Sequence, residues 1–175
     1  VLFKDNLYFL QETGFGGLSI SPTSAVIDQS GTSIVLGTGD VIQDFEYISN
    51  TVGNTNNKSV VSTEKGIYWV DSNLKKIYAF RANGLESLSD VHGMKSWTYN
   101  KIENLDTNLS SGYDSLNDEV LFSIGENKTL VFNELLNKFT SFYNYFTKYH
   151  ISTKNALFSI HYDSNATSAA SNDIM

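Results

Sequence analysis

The sequence has no cysteine and one proline among its 175 residues. The missing thiols exclude a disulfide-stapled mini-domain, a cysteine-based zinc site and a thiol nucleophile. A lone proline excludes collagen-like and Pro-rich linker character. Basic charge is also scarce, with 12 Lys and Arg against 19 Asp and Glu and a net charge of −7. Gripping nucleic acid through its phosphates needs a basic footprint that this balance lacks. No apolar run approaches the ~18 residues of a membrane span. No charged n-region leads into an apolar h-region, so no signal peptide is expected. The chain opens on Val1 and closes on Asn172-Asp-Ile-Met175 after a small-polar run. This leads us to expect a segment of a longer protein, a processed product, or the ordered part of a longer chain.

What is present is aromatic and β-prone. Two Trp, 10 Tyr and 11 Phe sit in a chain that is 41% hydrophobic and 18% charged, the balance of a folded chain with one sizeable core. Short apolar runs alternate with Gly, Asn, Asp and Ser clusters. Ala25-Val-Ile27 and Ser33-Ile-Val-Leu36 flank Asp28–Gly31. Gly66-Ile-Tyr-Trp-Val70 and Ile77-Tyr-Ala-Phe80 flank Asp71-Ser-Asn73. Val120-Leu-Phe-Ser-Ile124 and Thr129-Leu-Val-Phe132 flank Gly125-Glu-Asn127. Asn and Gly tolerate the positive φ of tight turns, so each set reads as a hairpin.

Internal repetition organises these hairpins. Leu121-Phe-Ser-Ile124 recurs as Leu157-Phe-Ser-Ile160, 36 residues on, which aligns Tyr113 with Tyr149. A second register, offset by 53, aligns Val60 with Tyr113, Ile67 with Val120, Ile77 with Leu130 and Gly84 with Asn137. Short antiparallel strands in units of about 35–50 residues are the mark of β-propeller blades. Runs such as Ile67-Tyr-Trp-Val70 then fail to alternate because both faces of a blade are covered. The reading is an all-β chain of propeller-like blades, an incomplete part of a larger propeller. Its expected units are 1–58, 59–111 with an insertion near 90–108, 112–148, and a truncated unit with tail at 149–175. The competing reading is a β-sandwich or meander.

Two segments pull against strands. Leu135, Phe139, Phe142, Phe146 and Tyr149 follow a helical spacing, but the repeat makes Phe139–Tyr143 the last strand of a blade, and strand is the reading taken. The insertion carries Ser87-x-x-Asp90 and Met94-Lys-Ser-Trp-Thr-Tyr99, which suits a short helix. An open stack of this kind would expose a strand edge and an apolar face, both of which attract partners.

Chemistry is sparse. His92, His150 and His161 lack an H-E-x-x-H spacing. His161-Tyr-Asp163-Ser164 is adjacency, not a relay, and His161 reads as a strand-end residue. Gly14-Phe-Gly16-Gly17 lacks the flanking helix and Gly-Lys-Ser/Thr of a phosphate loop, so a flexible turn is expected. Asp40, Asp44 and Glu46 cluster, as do Asp114, Asp118 and Glu119, without any sign of facing across a cleft. Asp71-Ser-Asn73 begins like a calcium loop, but Lys75, Lys76 and Ala82 occupy the positions that would need a ligand, Gly and Glu. Sequons at Asn57, Asn108, Asn127 and Asn165 are expected by chance in an Asn- and Ser-rich chain. The aromatics of 138–149 read as core or interface. No catalytic, cofactor-binding or metal-ligating residue is assigned.

Ser59-Val-Val-Ser-Thr-Glu-Lys-Gly66-Ile-Tyr-Trp-Val-Asp71 resembles a run found in tail-associated structural proteins of crAss-like bacteriophages, often called stabilization proteins. The resemblance continues through Lys76-Ile-Tyr78, Leu88-Ser-Asp90, Gly93-Met-Lys-Ser-Trp97, Gly112-Tyr-Asp114, Asn117–Phe122, Thr129–Glu134 and Lys138-Phe-Thr-Ser-Phe142. It is good over Ser59–Phe142, loose over Val1–Asn57 and absent after Tyr162. It implies a non-enzymatic virion protein near portal, neck and tail, much longer than this chain, with a propeller-like body and no active site to carry over. The expected partners are other virion tail, neck and portal proteins and copies of itself, with no sequence-specific nucleic acid and no membrane. The expected location is the virion, assembled in the bacterial host cytoplasm. The alternatives are a propeller-type carbohydrate or host-receptor module, and a propeller hydrolase.

Overall fold

Turn chemistry sets the strands. At three hairpins an Asx side chain accepts a backbone N–H from inside the turn: Leu74 N to Asp71 Oδ1 at 2.9 Å, Leu116 N to Asp114 Oδ1 at 3.0 Å, and Leu136 N to Asn133 Oδ1 at 2.9 Å. Each turn then passes through left-handed backbone just before the next strand, at Lys75, Asp118 and Asn137. One turn design, used three times, produces strands of similar length and fixed register.

The computed structural model describes residues 1–21, 24–27, 33–36, 41–102, 109–124 and 128–161. The first sheet joins β1 (Leu2–Phe3), β2 (Asn6–Gln11), β3 (Gly14–Ser21) and β6 (Val41–Ser49) in that order. Between β3 and β6, β4 (Ser24–Ile27) pairs with β5 (Ser33–Leu36) as a separate hairpin. The second sheet contains β7 (Val61–Ser62), β8 (Gly66–Asp71), β9 (Lys76–Arg81) and β10 (Gly84–Ser87). After it come two short helices, α1 (Leu88–Val91) and α2 (Lys95–Lys101). The third sheet contains β11 (Leu109–Asp114), β12 (Glu119–Ile124), β13 (Thr129–Asn133) and β14 (Lys138–Tyr143). β15 (Thr147–Ser152) and β16 (Leu157–His161) form a final hairpin.

The fold is therefore all-β, with antiparallel blade-like sheets that stack without closing among the described residues. The three sequence hairpins are present, although the turns of the first and third lie outside the described residues. The 53-residue register holds: β8 begins at 66 and β12 at 119, β9 at 76 and β13 at 129. Residues 138–143 form a strand, and the insertion carries short helices where it is described, with 103–108 outside the described residues.

The 36-residue register does not hold. Tyr113 pairs with Val120, whereas Tyr149 pairs with Ile160. In β12, Phe122 and Ile124 face the second sheet, and Ser123 faces the final hairpin. In β16 the facing is inverted, because Ser159 turns back to the third sheet through His150 and Phe158 points outward. The closing pairs are Asp114 with Glu119 and Ser152 with Leu157, so equivalent rungs stand 38 rather than 36 residues apart and identical tetrapeptides occupy non-equivalent places.

The glycine run is also corrected. Gly14-Phe-Gly16-Gly17 is not a turn but the start of β3, an interior strand. Gly16 lies beneath the Phe9 ring and against Glu46 O, leaving no room for a Cβ. The glycine is there for close approach rather than flexibility.

Candidate assembly surfaces and the joints between sheets

The first strand of each sheet stands beside that of the next. Ser62 Oγ on β7 donates to Leu2 O on β1 at 2.8 Å. Asn56 Nδ2, leading into β7, donates to Leu109 O on β11 at 3.2 Å. Ser110 Oγ on β11 donates to Thr147 O on β15 at 2.7 Å, and Tyr113 N donates to Ser152 Oγ at 2.8 Å. The sheets thus radiate from a common line of first strands, the arrangement of propeller blades.

The joint between the first and second sheets is aromatic. Phe3, Phe15, Ile67, Trp69 and Tyr78 are buried there, with Tyr8 and Phe80 packed alongside. Phe15 lies 4.9 Å from Trp69 and 5.0 Å from Phe80 by ring centroids. The Trp69 indole N–H donates to Gly53 O at 3.0 Å, satisfying its one polar atom. Tyr78 is buried on the same face, and its phenol is pushed up to about 12 by desolvation and then by the Asp71 and Asp90 charges.

The joint between the second and third sheets is largely aliphatic. Val61, Tyr68, Val70, Ile77, Ala79 and Leu88 meet Leu109, Val120, Phe122, Ile124, Leu130 and Phe132. Strand β8 serves both joints, with Ile67 and Trp69 on one face and Tyr68 and Val70 on the other. That is why its sequence does not alternate. At the rim, Thr63 Oγ1 donates to Glu134 Oε1 at 2.7 Å, and Lys65 lies 3.5 Å from Asp118. Burial, then the Glu134 charge, drives the Tyr68 phenol far above its usual 10.0.

The third joint, against the final hairpin, sets a polar cluster beside the buried Leu121 and Val131. Ser123 Oγ lies 2.7 Å from Thr129 Oγ1 and 2.8 Å from Thr147 Oγ1. His150 Nε2 lies 2.5 Å from Thr147 Oγ1 and 3.2 Å from Ser123 Oγ, and Nδ1 lies 3.0 Å from Ser159 Oγ. Thr129 Oγ1 also donates to Tyr145 O at 2.8 Å. An ideal Cβ on Gly112 would sit 2.6 Å from His150 Cβ, so the hairpin rests directly on β11 backbone.

Among the described residues, two faces of the stack carry exposed apolar side chains. On the first sheet, Leu2, Phe9, Phe45 and Tyr47 point away from Trp69, with Phe45 59% and Tyr47 42% exposed. On the final hairpin, Tyr149, Ile151 and Phe158 are exposed on the side away from the third sheet. These faces carry the same apolar chemistry that seals the first two joints.

The family described as Crassvirus muzzle protein matches residues 1–163. The chain belongs to that family. The muzzle protein of Bacteroides phage crAss001 is 29% identical over 149 residues, which is 82% of this chain and 11% of that protein. The crAss-like resemblance read from Ser59–Phe142 is therefore shown. It carries the description muzzle rather than stabilization, and it extends over the first 57 residues as well.

Residues of the run Ser59–Asp71 map onto the joints. Tyr68 and Trp69 sit in opposite cores, and Asp71 closes the β8–β9 turn by accepting Gly53 N at 2.9 Å and Leu74 N at 2.9 Å. Burial raises the Asp71 carboxyl above its usual 3.8, partly offset by those backbone bonds. The carboxylates singled out from sequence are used separately. Asp44 accepts Phe45 N, Asp114 accepts Leu116 N and Asn117 Nδ2, Asp118 accepts Tyr113 Oη, and Glu119 accepts Tyr143 Oη. Asp40 lies outside the described residues, as do Tyr162, Asp163 and Ser164 beside His161 and the sequons at Asn108, Asn127 and Asn165. His92 packs near Phe132 and Phe139, 5.6 and 6.3 Å between ring centroids. Among the described residues no group of three or more His, Asp or Glu is placed to hold a metal ion. No helix among them is long and apolar enough to cross a membrane. The hydroxyl–His150 joint was missed from sequence. Its one signal was polar residues recurring at inward-facing rungs of apolar strands.

Proposed function

We propose that this chain is a non-enzymatic structural segment of a phage virion protein, placed in a portal, neck or tail assembly. The observation that carries this reading is the use made of its side chains. Described residues singled out for possible chemistry, among them Asp44, Asp71, Asp114, Asp118 and Glu119, are engaged in turns and joints, and apolar sheet surface is left exposed beside them. The units 1–58, 59–111, 112–148 and 149–175 act as successive blades. The nine-residue strand β6 ends the strand order of the first sheet, and it is the side along which a copy of the chain packs in a ring. Other tail, neck and portal proteins are its further partners, and assembly takes place in the host cytoplasm. The net charge of −7 favours a body that does not cling to DNA moving past it. A basic lumen surface would contradict that point.

A glycan-binding module would also expose aromatics. Here, however, Phe9, Phe45 and Tyr47 stand nearly perpendicular to one another, at 79–89°. That packing interlocks rings rather than presenting a flat sugar platform, and it favours protein contact. Peptide mass spectrometry and cryo-electron microscopy of purified particles test the proposal. The chain is expected in several copies per particle, with density at the neck or tail. Particles that lack it would overturn the reading.

A further inference from the structure

Positive charge is unevenly spread along the chain. The first 57 residues hold one lysine, Lys4, against Asp5, Glu12, Asp28, Asp40, Asp44 and Glu46. The second sheet and α2 gather Lys75, Lys76 and Lys95 around one cleft of about 380 Å³, which Ser96, Tyr99 and Asn100 also line. No carboxylate lines it, and every polar side chain that does can donate a hydrogen bond. Lys76 is paired with Asp90 at 2.6 Å, while among the described residues no ion pair holds Lys75 or Lys95. Tyr99 is 64% exposed, and the Lys75 ammonium lies 5.1 Å from its ring centroid. The turn is strained to place that ammonium. Lys75 takes the left-handed position, φ 56°, that Asp118 and Asn137 fill in the sister turns. Asp and Asn enter that region with little strain, and lysine does not. Strain kept at one of three equivalent turns, beside a cleft, points to a role for the charge.

We propose that this cleft receives the carboxylates of Asp44 and Glu46 from a second copy of the chain, so that copies join head to tail. Two residues apart on β6, these side chains share a face, and both line a cavity of about 330 Å³. Both are exposed, and neither is held in an ion pair among the described residues. Charge complementarity selects this occupant: a donor-lined basic cleft on one part of the chain answers a lysine-poor acidic sheet on another. A contact between two different surfaces repeats from copy to copy and closes a ring where its rotation allows. The inference rests on the ring reading above and adds the surface of the neighbour that meets β6. A phosphate backbone also suits a donor-lined cleft, but the net charge of −7 opposes its approach.

Charge reversal in the complete natural polypeptide tests it, with self-association followed by sedimentation velocity. Lys75→Glu with Lys95→Glu, and Asp44→Lys with Glu46→Lys, should each weaken association at least ~tenfold by setting like charges face to face. An equimolar mixture of the two variants should regain it, because each then offers the sign the other lacks. Association that neither reversal changes overturns the inference and leaves the ring reading standing. A parent that stays monomeric overturns both. Loss with the cleft reversal that the mixture does not rescue assigns the cleft to another anion and overturns the inference. Retention of a single-stranded oligonucleotide by the parent, abolished by the cleft reversal, would name that anion as phosphate. Lys75→Asn guards against misfolding, since it installs the residue that the sister turn carries at Asn137 and removes the ammonium without straining the turn. It should weaken association about two- to fivefold with no fall in the denaturant midpoint. Unchanged association in that variant overturns the role given to Lys75.

Discussion

The joint that holds Trp69 and the joint that holds His150 fasten sheets by different physics. Around Trp69 the contacts are rings and aliphatic chains with one indole hydrogen bond. Such burial is non-directional and scales with area, so it resists separation strongly but tolerates sliding and repacking. Around His150 the contacts are hydroxyls at 2.5–3.2 Å, and each one fixes an angle as well as a distance. That joint contributes less energy per residue and demands one geometry. The chain thus sets its first two joints by affinity and its third by alignment.

The largest test of the contrast is Trp69→Ala. It removes a fully buried ring and leaves a cavity facing Phe15 and Tyr78, so a loss of about 3–5 kcal/mol is expected from denaturant midpoints. A volume-conserving change in the aliphatic joint, Ile77→Leu, should stay below about 1.5 kcal/mol. A Trp69→Ala loss no greater than that of Ile77→Leu would break the account of the apolar joints.

The polar joint should respond in the opposite sense. His150→Leu keeps an apolar body but leaves Ser123, Thr147 and Ser159 without their shared partner, so about 1–3 kcal/mol is lost despite retained volume. Gly112→Ala, with its Cβ driven into His150, should lift the hairpin by overpacking at a similar cost of about 1–3 kcal/mol. Hydrogen exchange separates the joints: amides of Thr147–Ser152 should lose protection while those of Gly66–Asp71 keep it. Uniform loss across both strands would show the two joints to be one cooperative unit.

Asp71 carries a polar anchor into the apolar side of the comparison. Burial raises its carboxyl above 3.8, so folding favours the protonated form. The stability it contributes is full below about pH 3.8 and declines as pH rises through the raised value. Asp71→Asn cannot titrate, and it can accept only one of the two bonds from Gly53 and Leu74, a loss of about 1 kcal/mol. Its deficit against the parent should therefore be largest in acid and shrink toward neutrality. A deficit that grows with pH would mean that the two backbone donors, not burial, govern the carboxylate.

How much of this was legible depended on the kind of signal. Turns were readable because Asp71, Gly84 and Asn137 mark them chemically, and the 53-residue register was readable because strands begin at matching offsets. The facing of Leu157–Ile160 was not readable, because the letters of a tetrapeptide do not record which face of the sheet each side chain takes. Gly16 looked like turn material because nothing in the sequence shows Phe9 lying over it. Family residues such as Tyr68 and Trp69 were read as blade packing, and they do pack, but on opposite faces. The hydroxyl joint escaped because Ser and Thr in a strand carry no mark of what they face.

The smallest expected effect lies outside both joints and bounds the comparison from below. The three turns of common design differ in what occupies the left-handed position: Lys75 at φ 56°, Asp118 at 54° and Asn137 at 50°. Asn and Asp visit that region with little strain, whereas a lysine Cβ crowds the following carbonyl. Glycine removes the clash but gives back part of the gain as unfolded-chain entropy. Lys75→Gly also gives up the Lys75 ammonium 5.1 Å from the Tyr99 ring centroid, a weak exposed contact. The net expectation is a stabilisation of about 0.5 kcal/mol or less, read as a small rise in the denaturant midpoint. Asn137→Gly should gain nothing, because it starts less strained and gives up the 2.6 Å bond from Arg81. A gain at Asn137 equal to that at Lys75 would show that strain in these turns does not depend on the side chain. The joints alone would then distinguish one sheet boundary from another.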